Sequence, residues 1–232
     1  MKIAITGARG TVGKLAVKAC AAAGHHTVQV DRTHQEFDGT KKSEMRTADI
    51  ANDYDATLKA FKGSVNAVGL AYANRPLHFD YFPLDEEAPQ RPTDAYALAK
   101  EEAECQARSF VNWFPGMNIA CLRIHEVAPL KDVQKEHSEN WEKSAVQQLW
   151  GWVHPGAVAR ACLLSVEKAE NLNGCQVLNI VAPSTTQERA SQDLAKKHYP
   201  NAEIRGDMSG NQGFWTTDKA ERLLGWKHEE KE

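Results

Sequence analysis

The chain has 232 residues, 42% of them hydrophobic and 25% charged, with a formal net charge of −3. This composition fits one soluble globular domain, or a large domain with a small lobe; it gives no electrostatic footprint for nucleic acid or an anionic membrane surface. No apolar run approaches the ~20 residues needed to cross a bilayer. The five cysteines form no C-x-x-C pair, and none of the nine histidines has metal-ligand spacing. A reduced, metal-free, cytoplasmic protein is expected. A strand beginning at Lys2 makes a signal peptide unexpected.

In chain order, Ile3-Ala4-Ile5 reads as a strand and Thr6-Gly7-Ala8-Arg9-Gly10-Thr11-Val12-Gly13 as a glycine turn opening a helix over 12–20. A dinucleotide pyrophosphate needs this arrangement. Gly7, Gly10 and Gly13 let backbone approach the phosphates, and the helix start, with Thr11 and Val12, offers free N–H groups and a partial positive charge. Arg9 either touches phosphate or is solvated. His26 to Val30 reads as a second strand ending in Asp31, whose carboxylate can accept hydrogen bonds from the adenosine ribose hydroxyls. The neighbouring Arg32 would tolerate a 2′-phosphate, but Asp31 repels one, so NAD is expected over NADP.

After a polar stretch, residues 44–48 read as a third strand, ending at Asp49-Ile50, a pair suited either to the adenine edge or to a surface turn. Residues 53–61 read as a helix closed by Gly63. A long helix is expected from Thr93-Asp94 to about Val111, and strands over 118–124 and 176–181. Further helices are expected at 155–169, with Pro155 in the first turn, and at 187–198 and 217–224, the last stopped by Gly225. Lys227 to Glu232 reads as a solvated tail. Strands alternating with helices imply an α/β fold, a doubly wound parallel sheet covered on both faces.

Tyr96 and Lys100 stand one helical turn apart on one face of the long helix. An ammonium near a phenol favours the phenolate, which could exchange a proton with a substrate hydroxyl while hydride moves to or from a nicotinamide. The pair gains meaning behind the glycine turn and after the lead-in Asp85-Glu86 … Pro92. His125 and Glu126 follow a strand's carboxyl end, where α/β sheets place ligands, and are candidate substrate contacts. Asn140, Trp141, Gln147, Gln148, Trp150 and Trp152 either line a sugar pocket or pack a small lobe.

With these residues the chain resembles the extended short-chain dehydrogenase/reductases, the NAD-dependent epimerase/dehydratase family, nearly end to end. The residues that carry the resemblance are Thr6 to Gly13, Asp31, Asp49, Asp85-Glu86, Pro92, Tyr96, Lys100, Leu122-Arg123-Ile124 and the tail Thr217 to Trp226. Residues 123–129 look most similar to uronate dehydrogenases, although no arginine between Ile124 and Ala159 is available to clamp a carboxylate; Lys131, Lys135 or Lys143 would substitute. The resemblance implies a Rossmann-like sheet and NAD as cofactor. It implies hydride transfer on a sugar or sugar acid with Tyr96 as acid/base, Lys100 tuning it and Ser64 assisting. It also implies a homodimer through the Tyr96 helix. The NAD-binding domain would span 1–125 and 155–181, and a small substrate lobe 126–154 and 182–232.

The family layout also calls for roughly 40–50 residues that are missing before Ser64, namely the fourth strand, its helix and the fifth strand. Either Ser64 keeps the catalytic position at the end of a fifth strand, or Asn66 to Tyr72 slides into the vacant slot beside the first strand. A sheet shortened in its middle leaves three outcomes open: an active enzyme, a catalytically impaired deletion variant, or a non-catalytic NAD-binding protein.

Overall fold

A computed structural model describes residues 1–32, 43–47, 65–66, 77–134 and 145–230. The N-terminal unit is β1 (Lys2–Thr6), α1 (Thr11–Ala22), β2 (His26–Asp31) and β3 (Ser43–Thr47), a parallel sheet ordered β1-β2-β3. β2 is its central strand, and Thr27 to Val30 are buried on both faces, as a parallel strand between two neighbours requires.

The second unit is built on β4 (Val65–Asn66), β6 (Ile119–Ile124) and β9 (Cys175–Ile180), again parallel, in the order β4-β6-β9. The run Ile119-Ala120-Cys121-Leu122 has the continuous apolar character of a strand buried on both faces. Its partner on one side, β4, pairs Val65 with Cys121 and Asn66 with Leu122. These two residues therefore lie beside β6. The expectation that a strand starting at Asn66 moves beside β1 is corrected on this point. Among the described residues, no strand pairs with the other edge of β1. The chain thus has a Rossmann-like α/β fold whose main described strands form two three-stranded parallel groups.

Helices join the two groups. α4 (Pro155–Glu167) starts with Pro155 at a position where its missing N–H costs nothing, capped by His154, whose Nδ1 accepts from the Gly156 N–H at 3.1 Å. Val12 and Leu15 of α1 pack into the core formed by Val153, Ala157, Val158, Ala161, Leu178 and Ile180. At the other end His25, just past α1, bonds Glu167 at 2.8 Å. The two helices therefore run side by side in the same direction. Each is antiparallel to the strand it serves, so the carboxyl ends of β1-β2 and of β6-β9 face the same end of the molecule. α2 (Ala95–Trp113), capped by the Asp94 carboxylate accepting from the Ala97 N–H, covers β6 through Glu104 and Ala107.

A separate core gathers Phe82, Leu84, Leu149, Trp150, Leu194, Met208 and Phe214. It joins β5 (Tyr81–Phe82) and β10 (Glu203–Ile204), which pair in parallel, to α5 (Ser191–His198). Trp150 and Trp152 are each only 4% exposed, Trp150 inside this core, so these tryptophans pack the protein instead of lining an open pocket. Two further short strands, β7 (Glu126–Val127) and β8 (Trp152–Val153), also pair in parallel. The short α3 (Leu130–Val133) follows β7.

The C-terminal segment corrects another expectation. α6 (Asp218–Leu224) ends at Gly225 in the left-handed region, φ 68°, as read from the sequence. Beyond it the chain is not a free tail. Trp226 is fully buried and donates through Nε1 to the Ala157 carbonyl at 2.9 Å; His228 accepts from the His154 N–H at 3.1 Å; Arg160 is clasped by Glu230 and the Lys227 carbonyl. The sequence pattern had only charge to show here, whereas the indole anchors the strap. Trp226→Ala should cost about 3–5 kcal/mol of unfolding free energy, measured as a lower urea midpoint at unchanged slope; a loss under about 1 kcal/mol would show that the strap contributes little.

Candidate active site

The glycine turn has the geometry of a phosphate cradle. Gly7 sits at φ +58°, which only glycine adopts without strain, and its carbonyl accepts from the Gly10 N–H at 2.8 Å. A Cβ on Gly13 would lie 2.1 Å from the Gly7 carbonyl oxygen and 2.8 Å from Ala8 Cα. The helix can approach the turn this closely only because residue 13 has no side chain. α1 starts from Gly10 with no side-chain cap and no acidic residue in its first turn. Its first N–H groups and the positive end of its dipole are therefore available to an anion. Thr11 is exposed at this end, while Val12 turns inward to the core.

Asp31 ends β2 next to this turn. Its Oδ2 accepts from the Arg9 N–H at 3.0 Å and its Oδ1 from the Arg32 N–H at 2.8 Å. One backbone donor from the glycine turn and one from the next residue thus fix the carboxylate, and each oxygen keeps acceptor capacity for a further donor. Asp49, Ile50 and Ser64 lie outside the described residues, as do the helix expected over 53–61 and Lys135, Asn140, Trp141 and Lys143.

Tyr96 lies in the first turn of α2 and is 45% exposed; the Lys100 ammonium stands 5.3 Å from the centre of its ring. The i,i+4 spacing of a helix brings the two together. Below them Glu104, 2% exposed, meets Arg123 of β6, 7% exposed. Arg123 donates through Nε to Oε1 at 2.8 Å and through Nη2 to Oε2 at 2.9 Å; Gln90 adds a bond to Oε2 at 2.8 Å. Arg123 also reaches the Glu86 carbonyl at 3.4 Å. Glu86 in turn accepts the Asn179 N–H of β9 at 2.8 Å, and burial pushes its carboxyl up from the usual range.

Reading by motif missed Glu104, and singled out Glu86 only as part of the lead-in. A signal for the first was present: an arginine within the apolar strand Ile119–Ile124 has to find a buried carboxylate, and Glu104 continues the four-residue step from Tyr96 and Lys100.

At the carboxyl end of β6, His125 stands against Trp215, ring centres 4.5 Å apart, and a Cβ on Gly151 would come within 2.6 Å of its Nδ1. The imidazole thus fills the space that Gly151 leaves. Its Nε2 is buried and has no hydrogen-bond partner, as is true of the Trp215 Nε1. Burial, then the Arg123 charge, hold the imidazole down at about 3, so it is neutral at physiological pH. Glu126 is exposed on β7, opposite Trp152. The structure therefore brings His125, the α2 N-terminus and the glycine turn to the strand ends of one molecular face, with Glu126 beside them.

No protein-family model matches the chain, and no curated protein sequence does. Solved structures do. A UDP-glucose 4-epimerase from Stenotrophomonas maltophila with bound NAD and formylated UDP-arabinopyranose superposes with a TM-score of 0.65 at 16% identity, covering 100% of this chain and 94% of that one. A UDP-glucose 4-epimerase from Bifidobacterium longum in complex with NAD+ and UDP gives 0.62 at 13% identity, with the same coverage. A short-chain dehydrogenase/reductase superfamily protein from Agrobacterium tumefaciens with bound NAD gives 0.61 at 15%, covering 100% and 93%. The chain therefore has the fold of these epimerases and dehydrogenases.

The His125 environment has a consequence for stability. A histidine held neutral when folded, but titrating near 6.5 when unfolded, makes the unfolded chain bind more protons between about pH 6.5 and 3. Stability conferred by this site is present above 6.5 and is lost as pH falls towards 3. His125→Phe should flatten the pH dependence of unfolding free energy in this window by up to about 1.4 kcal/mol per pH unit. Identical slopes in parent and variant would contradict the neutral, buried imidazole.

Proposed function

We propose that the chain is an NAD-dependent oxidoreductase or epimerase that moves hydride at a carbon of a sugar or sugar-acid substrate. The observation that carries this reading is the pairing of the phosphate cradle with the Tyr96–Lys100 pair at the same end of one Rossmann-like fold. The residues fit the dinucleotide: Gly7, Gly10 and Gly13 admit the pyrophosphate, Thr11 and Val12 begin the helix whose N–H groups face it, and Asp31 accepts the ribose hydroxyls. A carboxylate at that place disfavours the 2′-phosphate of NADP. Arg9 and Arg32 hold Asp31 by their backbone, and Asp49 and Ile50 are proposed at the adenine. In the solved structures NAD occurs beside UDP or a UDP-linked sugar, which supports a sugar substrate here.

NAD supplies the hydride acceptor when bound. Tyr96 takes the proton of the substrate hydroxyl onto its phenolate oxygen, and the Lys100 ammonium stabilises that phenolate. Ser64 is proposed to hold the reacting oxygen by a hydrogen bond. His125, neutral and with an unpartnered Nε2, is proposed to bond a substrate hydroxyl, with Glu126 at the rim. The division into an NAD-binding domain over 1–125 and 155–181 and a substrate lobe over 126–154 and 182–232 is kept as part of the proposal.

The proposal is tested in a panel of uronic acids and UDP-sugars, following reduced nicotinamide for net oxidation and the sugar products for epimerisation, which returns the hydride and leaves NAD unchanged. Tyr96→Phe should lower kcat about 100- to 10,000-fold with NAD affinity unchanged. Parent turnover that survives Tyr96→Phe would overturn the role of the tyrosine. NAD binding with no turnover on any sugar would instead support the catalytically impaired or non-catalytic reading.

A homodimer is proposed through the outer side of α2. Leu98, Phe110, Trp113 and Phe114 are each at least 41% exposed there, and Phe110 lies 5.3 Å from Trp113 in edge contact. Trp113→Glu should convert a sedimenting dimer to monomer; a parent that sediments as a monomer at all concentrations would contradict this assembly.

A further inference from the structure

One side of α2 carries Tyr96, Lys100, Glu104 and Arg108 at successive four-residue steps, a column of phenol, ammonium, carboxylate and guanidinium. The connection from Trp113 to Ile119 is short, so α2 runs antiparallel to β6. Arg108 accordingly lies by the Cys121 and Cys175 thiols, and Glu104 one turn above meets Arg123 two residues further along the strand. One four-residue helical step is about 6 Å and two strand residues about 6.6 Å. The column and the strand therefore stay in step, and the next rungs set Lys100 and Tyr96 over the carboxyl end of β6, where His125 stands.

We propose that Glu104 and Arg123 are the positioning pair of this site: their fork fixes the height of Tyr96 and Lys100 over the strand end, and the Glu104 carboxylate cancels the Arg123 charge so that the phenol senses Lys100 alone. This rests on the reading of Tyr96 as the acid/base. Two parallel N–H···O bonds, at 2.8 and 2.9 Å, resist sliding in a way that an apolar contact does not. Gln90 and the Glu86 carbonyl complete the shell, so the pair is tied to α2, to β6 and to the lead-in segment at once. Burying such a pair is an inefficient route to stability, because apolar residues of similar volume usually do as well or better. Fixed geometry is what the pair supplies and an apolar replacement does not, and Glu104 is what keeps the Arg123 charge from reaching the phenol.

The test uses the full chain. Ionisation of Tyr96 is followed by phenolate absorbance in the chain without NAD, with Tyr96→Phe as the blank, so the readout does not need turnover. Glu104→Gln keeps an acceptor for Arg123 but leaves its charge uncompensated; Tyr96 should then ionise about half a pH unit or more lower than in the parent. The double variant Glu104→Leu with Arg123→Met should fold, bind NAD within about twofold of the parent, and lose at least tenfold in kcat with a smaller change in KM. An unshifted Tyr96 titration in Glu104→Gln overturns the charge-balancing role. Parent kcat in the double variant overturns the positioning role. Should the double variant not fold, the same positioning claim is read from Arg123→Lys, which keeps the charge and loses the fork; kcat within twofold of the parent overturns it. A parent without turnover on sugars defeats the reading of the substrate, while the Tyr96 titration still decides the charge balance.

Discussion

The Arg123–Glu104 fork is the contact through which the rest of the second unit is organised. It is a charged pair placed where water cannot reach it, between the central strand β6 and the helix that bears Tyr96 and Lys100. Removing either partner alone strands a buried charge, which is among the most costly single changes in a protein interior. Around it the lead-in segment closes, with Gln90 on the carboxylate and the Glu86 carbonyl on the guanidinium, and Glu86 bridges to β9 through the Asn179 N–H. One ion pair thus ties together four parts of the chain that are far apart in sequence.

The N-terminal unit is organised differently, by backbone. The Gly7 carbonyl, the space left by Gly13 and the two N–H bonds to Asp31 lock turn, helix and second strand into one cradle. The two units meet through α1 and α4, which lie side by side from Val12 to the His25–Glu167 bond. This helix contact, more than strand pairing among the described residues, carries the alignment of the two sets of strand ends. Cradle and tyrosine come to one face because helices, too, transmit direction.

Much of this was legible in the sequence, and the reasons differ from element to element. The glycine spacing from Gly7 to Gly13 states a backbone requirement directly, and Asp31 follows from the length of one strand–helix–strand unit. The Asp94 cap, Pro155 and Gly225 marked helix ends because each satisfies or terminates a helix by local chemistry. Long-range choices were not legible. That Val65 and Asn66 pair with β6 is decided by which strand edge is open, and that Glu104 is the partner of Arg123 is decided by how α2 lies on the sheet. The terminal strap read as solvent-exposed because its charges dominate the local pattern, while one indole, Trp226, decides where it goes. The tryptophans near residue 150 left a pocket open beside the more usual lobe core, since an aromatic cluster carries no sign of which side faces water.

All else depends on this fold building a working cofactor cradle. Thermal unfolding of the purified chain with and without millimolar NAD tests it most directly. A ligand that binds only the folded state adds about 2.7 kcal/mol at 100 times its dissociation constant. The account predicts a cooperative transition that moves upward with NAD, and that no longer moves when Gly13 is replaced by Val. A transition indifferent to NAD, or one too broad to be cooperative, would mean that the cradle is inherited in sequence but not formed for use.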